Sequence, residues 1–82
     1  MKLTNEEYAV LNQLRTQVPA FANMVTRLLE VDVTELIKEG DPEKIRILQG
    51  RTRTLGELLS EINRSGEVLN KIRTQQEHQR NK

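Results

Sequence analysis

The apolar residues in the first half of the chain recur at alternating intervals of three and four, which is the spacing of one face of an α-helix. They are Leu11, Leu14, Val18, Phe21, Val25 and Leu28. Thr4 and Glu7 have the spacing of a capping box, so the first helix is predicted over residues 5–18. Pro19 lacks an amide hydrogen and disfavours helical backbone at the residue before it. This arm is therefore predicted to be kinked or broken at Pro19 and to continue over residues 20–39.

A tight turn is predicted between the two halves of the chain. Gly40 suits the position after a helix end, Asp41 suits an N-cap, and Pro42 suits a first helical position. Beyond the turn the same apolar spacing continues through Ile45, Leu48, Thr52, Leu55, Leu59, Ile62, Gly66 and Leu69, with Leu58 and Ile72 beside it. This pattern predicts a third helix over residues 42–74. Residues 77–82 are polar and are expected to fray.

Two further positions leave the helix boundaries open. Asp32 has the spacing of a second N-cap with Glu35, although the surrounding pattern favours a continuous helix. Gly66 costs about 1 kcal/mol relative to alanine in a helix interior, so it is an alternative helix end. The predicted fold class is all-α in either case, with a single helical domain over residues 1–76.

The two arms are predicted to form an antiparallel helical hairpin. If the turn lies where the pattern places it, facing residues have numbers that add up to about 81, and the apolar residues obey this over eight layers. At the open end of the hairpin, Leu11 is then expected to face Leu69, and Tyr8 to face Ile72. Two arms of about 35 residues would each be roughly 50 Å long.

The two arms differ in charge. Residues 1–43 carry a net charge of −4 and residues 44–82 carry +5. An antiparallel hairpin would place the acidic arm beside the basic one, where Arg46, Arg51, Arg53 and Arg64 have acidic partners in Glu39, Glu35, Glu30 and Asp32, respectively. A basic half can also indicate a nucleic-acid surface, but this one falls short of a dense basic stripe.

Two helices that share one apolar stripe form a thin core. The residues expected at the core or at an oligomer seam are Leu11, Leu14, Val18, Phe21, Val25, Leu28, Leu48, Leu55, Leu58, Leu59, Ile62, Leu69 and Ile72. Other apolar residues lie off the strict seam and need cover, among them Leu29, Val31, Ile37, Ile47 and Val68. Only 35% of the 82 residues are apolar, and the chain has no cysteine for a disulfide. We therefore expect a homo-oligomer, most simply a dimer that forms a helical bundle.

The residue types that carry catalysis or hold metals are scarce. The single histidine, His78, lies in the polar tail, and there is no cysteine. Glu57 and Glu61 alternate with arginines, which is typical of exposed ion pairs on one helix. No glycine-rich phosphate loop follows a strand. The sequence predicts a protein that is not an enzyme and has no catalytic residue, metal site or cofactor.

One basic cluster is a candidate ligand site. Lys44, Arg46, Arg51 and Arg53 lie close together on the third helix, and doubling them across a dimer axis would suit a nucleotide or another anion. The alternative is a solvated face that pairs with the acidic arm, and this alternative is favoured. Nucleic-acid binding has a second candidate in Lys71, Arg73, Arg80 and Lys82. The chain lacks aromatic residues there to stack on bases, so this function is less favoured.

No signal peptide is recognised at the start of the chain, and no apolar stretch is long enough to span a bilayer. The mixed charge of the polar faces argues against binding at a membrane surface. The absence of cysteine fits a cytoplasmic protein. We therefore expect a cytoplasmic location and no membrane partner.

The stretch from Ile45 to Leu59, which reads IRILQGRTRTLGELL, resembles short helical accessory proteins of tailed bacteriophages. The resemblance implies a non-catalytic phage protein, present in the host cytoplasm, that binds and modulates or inhibits a host protein. It also leaves open the sequestration of a signalling nucleotide or a role in assembly. The functions under consideration are thus a homo-oligomeric interaction protein, an anion-binding oligomer built on the basic cluster, and a nucleic-acid-associated protein.

Overall fold

A computed structural model describes residues 1–80, and within them the chain is all-helical. Helix α1 covers Asn5–Gln17, α2 covers Pro19–Lys38, and α3 covers Pro42–Arg80. The three helices pack together, and every pair of them is in contact. The predicted all-α class is therefore confirmed.

The helices begin where the sequence places their caps. The Thr4 hydroxyl accepts a hydrogen bond of 3.1 Å from the Glu7 amide, and the Glu7 carboxylate accepts one of 2.9 Å from the Thr4 amide. The Asp41 carboxylate accepts a hydrogen bond of 3.0 Å from the Glu43 amide at the start of α3. Each cap satisfies amide groups that have no partner within the helix, and each thereby fixes where the helix starts.

The turn between α2 and α3 is built differently from the expected glycine cap. No residue in the described part of the chain, Gly40 included, has a positive φ. Helix α2 ends instead at Glu39, whose backbone is extended. The Glu39 carboxylate accepts hydrogen bonds from the amides of Gly40 and Asp41, at 3.2 and 3.1 Å. A side chain therefore orders these amides, and left-handed backbone is not needed.

Neither Asp32 nor Gly66, the two positions at which the sequence left a helix boundary undecided, interrupts a helix. Helix α2 is continuous through Asp32, and α3 is continuous through Gly66. Helix α3 also extends to Arg80, beyond the predicted end at residue 74. Its last turns are rich in glutamine, glutamate and arginine, which are good helix formers, and each residue that joins an existing helix adds a hydrogen bond. The tail predicted to fray comprised residues 77–82. Residues 77–80 belong to α3, and residues 81–82 lie outside the described residues.

The first two helices meet at Val18. The Val18 amide donates to the Leu14 carbonyl at 2.9 Å, and the Val18 carbonyl accepts from the Phe21 amide at 2.9 Å. Between these two bonds the Val18 backbone is not helical, with φ of −131° and ψ of 70°. Pro19 then occupies the first position of α2, where its missing amide hydrogen costs nothing. One helix thus ends and the next begins with a single residue between them.

The direction of α1 differs from the sequence prediction. Three contacts join α1 and the residues before it to α3, namely Met1 with Glu57, Tyr8 with Glu61, and Arg15 with Gly66. Residue numbers rise together in these pairs, so α1 runs in the same direction as α3. In α2 the numbers run the opposite way, since Asp32 pairs with Arg51 and Val25 packs with Ile62.

The pairing predicted for the open end of the hairpin is therefore wrong. Tyr8 lies against Glu61 rather than Ile72, and α1 lies beside the middle of α3. The chain changes direction at the non-helical Val18. Apolar residues spaced by three and four give a helix one apolar face but do not specify the direction in which that face runs.

The core forms where the three helices meet. Leu11 of α1, Val25 of α2 and Ile62 of α3 are buried together, and Leu3, Phe21, Ala22, Leu55, Leu58 and Leu59 pack against them. Leu48 is also buried. Of the other predicted seam residues, Leu14, Leu69 and Ile72 are half-buried, whereas Val18 and Leu28 are exposed. Val18 is exposed because it lies at the bend between α1 and α2.

Replacing Ile62 with alanine is expected to destabilise the protein by about 2–5 kcal/mol, because it leaves a cavity where all three helices meet. Ile37→Ala is the matched control, since Ile37 is 80% exposed, and its effect is expected within about 0.5 kcal/mol. Urea unfolding followed by circular dichroism measures both. Equal effects of the two substitutions would contradict the described core.

A polar contact also joins α1 to α3 beside this core. The Tyr8 hydroxyl donates a hydrogen bond to the buried carboxylate of Glu61, which also accepts a weaker one of 3.4 Å from Arg64. The hydrogen bond to Glu61 raises the pKa of Tyr8 above its usual value, because the carboxylate stabilises the protonated phenol. The bond is therefore present below about pH 10 and is lost as the pH rises through the raised pKa.

A Tyr8→Phe substitution is expected to remove this part of the pH dependence. As the pH rises above about 10, the wild-type protein should lose more stability than Tyr8→Phe does, because only the wild type has this phenol to ionise. Thermal unfolding at a series of pH values measures the difference. Parallel pH profiles would contradict the role of this hydrogen bond.

Candidate interaction surface

The four basic residues predicted as a ligand site do not converge on one point. Lys44 and Arg51 line a small depression near the turn, and Arg51 also lines a larger groove together with Arg46. Arg53 is 83% exposed and pairs with Glu57 on its own helix at 3.4 Å. Within residues 1–80, Arg46 takes part in no ion pair. Three of the four basic residues thus line two adjoining depressions that share Arg51, and Arg53 lies outside both.

The pairing of Asp32 with Arg51 joins α2 to α3. The Asp32 carboxylate is only 2% exposed and accepts a hydrogen bond of 2.8 Å from the Arg51 guanidinium. Burying a carboxylate is costly unless an opposite charge or a hydrogen bond compensates for it, and Arg51 supplies both. The sequence predicted that arginines would pair with the acidic arm, and this is the one such pair between α2 and α3 within residues 1–80.

Two other predicted ion pairs stay within α3. Arg53 pairs with Glu57, and Arg64 lies 3.4 Å from Glu61. The sequence predicted that both glutamates would lie exposed beside arginines. Glu61 is instead buried because α1 covers it and Tyr8 binds it. Spacing along one helix indicates local ion pairs, but it does not indicate which member another helix will cover.

An apolar groove lies between α2 and α3 beside this ion pair. It has a volume of about 720 Å³. Its lining comprises Leu28, Val31, Asp32, Arg46, Ile47, Gly50, Arg51, Thr54 and Leu55. The side chains of Leu28, Val31 and Ile47 are exposed there, with Ile47 at 62%. Large apolar residues that share one open groove are typical of an interaction site.

The sequence contained part of the signal for this groove. Val31 and Ile47 were among the apolar residues that lie off the strict seam. Leu28 belonged to the seam and was expected to be covered. In the structure Leu28 is exposed in the groove, and α1, which lies against residues 57–66 of α3, does not cover it.

Within residues 1–80, no group of three or more histidine, aspartate or glutamate side chains is arranged to hold a metal ion. None of the helices over residues 1–80 combines the length and the apolar composition that crossing a bilayer requires. What the groove does provide is an exposed apolar surface between two arginines, which suits a contact with another protein surface.

Arg51→Met is expected to destabilise the protein by about 1–3 kcal/mol, because Asp32 then stays buried without its partner. Methionine keeps the aliphatic length of the side chain. Arg53→Met is the matched control, since it removes only an exposed pair within α3, and its cost should not exceed about 0.5 kcal/mol. Urea unfolding measures both. The ion pair would lose its assigned role if the two substitutions had equal effects.

The chain was compared with models of known protein families, with curated proteins and with solved structures, and none of the three comparisons found a match. The function has to be argued from the residues and surfaces of this chain alone.

Proposed function

We propose that this chain is a non-catalytic interaction protein that works as a homo-oligomer. In this proposal α2 and α3 form a helical hairpin, bent back at Val18 and Pro19 into α1, whose open apolar groove is covered by another protein surface. The observation that carries the proposal is the exposure of Leu28, Val31 and Ile47 in one groove.

The small core supports the same proposal. Among residues 1–78, only four apolar residues are buried in one copy, namely Leu11, Val25, Leu48 and Ile62. A domain of this size seldom obtains more than about 3–5 kcal/mol from its core without further cross-links or partners. Association that covers the groove would bury further apolar side chains, each contributing up to about 1.5–3 kcal/mol if fully removed from water.

The bacteriophage setting extends this proposal and rests on the resemblance of residues 45–59. In that setting the oligomer is an accessory protein in the host cytoplasm, and it binds and modulates a host protein. The residues that carry the resemblance include Arg46, Ile47, Gly50 and Arg51, which also line the groove.

A second candidate function is the binding of an anion or nucleotide. It is favoured by one observation, that Arg46 and Arg51 line the same groove. Two features weigh against it. Arg51 is already paired with Asp32, and most of the remaining lining is apolar. Association with nucleic acid is a weaker alternative still, because Arg46, Arg51 and Arg53 do not form one continuous basic surface.

Native mass spectrometry of gently purified protein distinguishes these functions. The proposal predicts a mass of at least two copies of the 9.5 kDa chain with nothing attached. An additional mass of a few hundred daltons per oligomer, lost on Arg46→Ala, would favour the anion-binding function instead. A single-copy mass at all concentrations up to about 100 μM, where weak dimers are populated, would contradict self-association.

A further inference from the structure

The open groove is the continuation of the surface on which α1 packs. Positions 47, 50, 54, 58, 61 and 65 of α3 follow the three-and-four spacing of one helix face. At the far end of this face, Glu61 and Ser65 are buried where α1 lies against α3. At the near end, Ile47, Gly50 and Thr54 line the groove without a helix over them. One face of α3 is thus covered along part of its length and open along the rest.

The open part has defined limits. It begins at Pro42, where α3 starts, and it ends near Glu57, where the amino group of Met1 lies 3.6 Å from the carboxylate. The residue at the middle of this stretch is Gly50. Apart from the adjacent residues and the nearby backbone of α3 itself, no heavy atom lies within 4 Å of the place that a Cβ at Gly50 would occupy. A second helix can therefore approach α3 most closely at the centre of the open stretch.

We infer that the open stretch is the contact between two copies of this chain, paired antiparallel about a two-fold axis at Gly50. The inference rests on the proposed self-association and names its surface. In this pairing α3 of the second copy begins opposite residue 58 of the first copy. It therefore covers the open stretch and stops where α1 starts, so that one face of α3 is covered along its length without overlap.

The surface is complementary to itself, as a two-fold contact requires. Ile47 projects from α3 one turn away from Gly50, which has no side chain. Antiparallel pairing about Gly50 places the projecting Ile47 of each copy level with residue 53 of the other, between its Gly50 and Thr54. The groove residues of α2, Leu28 and Val31, then lie beside the paired α3 helices and complete a four-helix layer.

Charge does not oppose this contact. Along the flank of the open stretch, Glu43 and Glu57 balance Arg46 and Arg53, so this flank carries no net charge. On the other flank Arg51 is neutralised by Asp32 of its own copy, and Lys44 shares a depression with Glu35 and Glu39 of the same copy. Because these charges cancel within each copy, bringing two copies together produces little net repulsion.

The first test compares Ile47→Arg with Ile37→Arg by light scattering during gel filtration, with circular dichroism as a check on folding. Both positions are exposed, so neither substitution should unfold the chain. Ile47→Arg is expected to raise the dimer Kd at least tenfold, because a charged side chain enters the apolar contact twice. Ile37→Arg should leave the Kd unchanged. A wild-type dimer that Ile47→Arg does not weaken would overturn this surface and leave the proposed self-association standing, whereas a wild-type monomer would overturn both.

The second test locates the axis with single cysteines, since the natural chain has none. Gly50→Cys places two thiols at the axis, and mild oxidation is expected to link most of the protein into a dimer. Gly56→Cys is the matched control, because its site is equally free of neighbours but lies in a different depression of α3. A dimer linked through position 56 and not through position 50 would overturn the proposed axis.

Discussion

Ile62 has no solvent-exposed surface, and its burial depends on all three helices at once. Val25 covers it from α2 and Leu11 covers it from α1. Ser65, one turn farther along α3, is also fully buried, with its hydroxyl bonded to the Ile62 carbonyl at 2.7 Å. The next residue, Gly66, has no side chain, and a Cβ there would lie 2.7 Å from Nη2 of Arg15, so α1 lies close to α3 at this point. The position of α1 follows from this contact, and the extent of the remaining open surface follows from the position of α1.

The ends of the helices could be predicted from the sequence because short-range chemistry determines them. The reciprocal bonds of Thr4 and Glu7 and the cap at Asp41 need only residues within one turn. The direction of α1 could not be predicted in the same way. Pro19 fits a kink within one helix and the first position of a new helix equally well, and only long-range packing separates these alternatives.

The partners of the charged residues could also be predicted only in part from the sequence. Spacing along α3 was sufficient to pair Arg53 with Glu57, but it did not indicate that Glu61 would be buried under Tyr8. Asp32 was considered as a helix cap, and its role is instead to bind Arg51 across two helices. Because Arg51 is engaged in this way and Arg53 faces solvent, the predicted basic cluster is divided. The apolar groove is then the most distinctive surface of the chain.

The central claim is that the open face of α3 joins two copies as an antiparallel pair, overlapping only along this face. Small-angle X-ray scattering on an absolute scale tests it directly, because one chain is a rod 59 Å long. Two chains that overlap along residues 42–58 should reach about 95 Å, since an overlap of some 16 residues at 1.5 Å per residue removes about 24 Å from the combined length. The account predicts this length together with a mass twice that of one chain. A two-copy mass with a maximum dimension near 59 Å would contradict the proposed pairing.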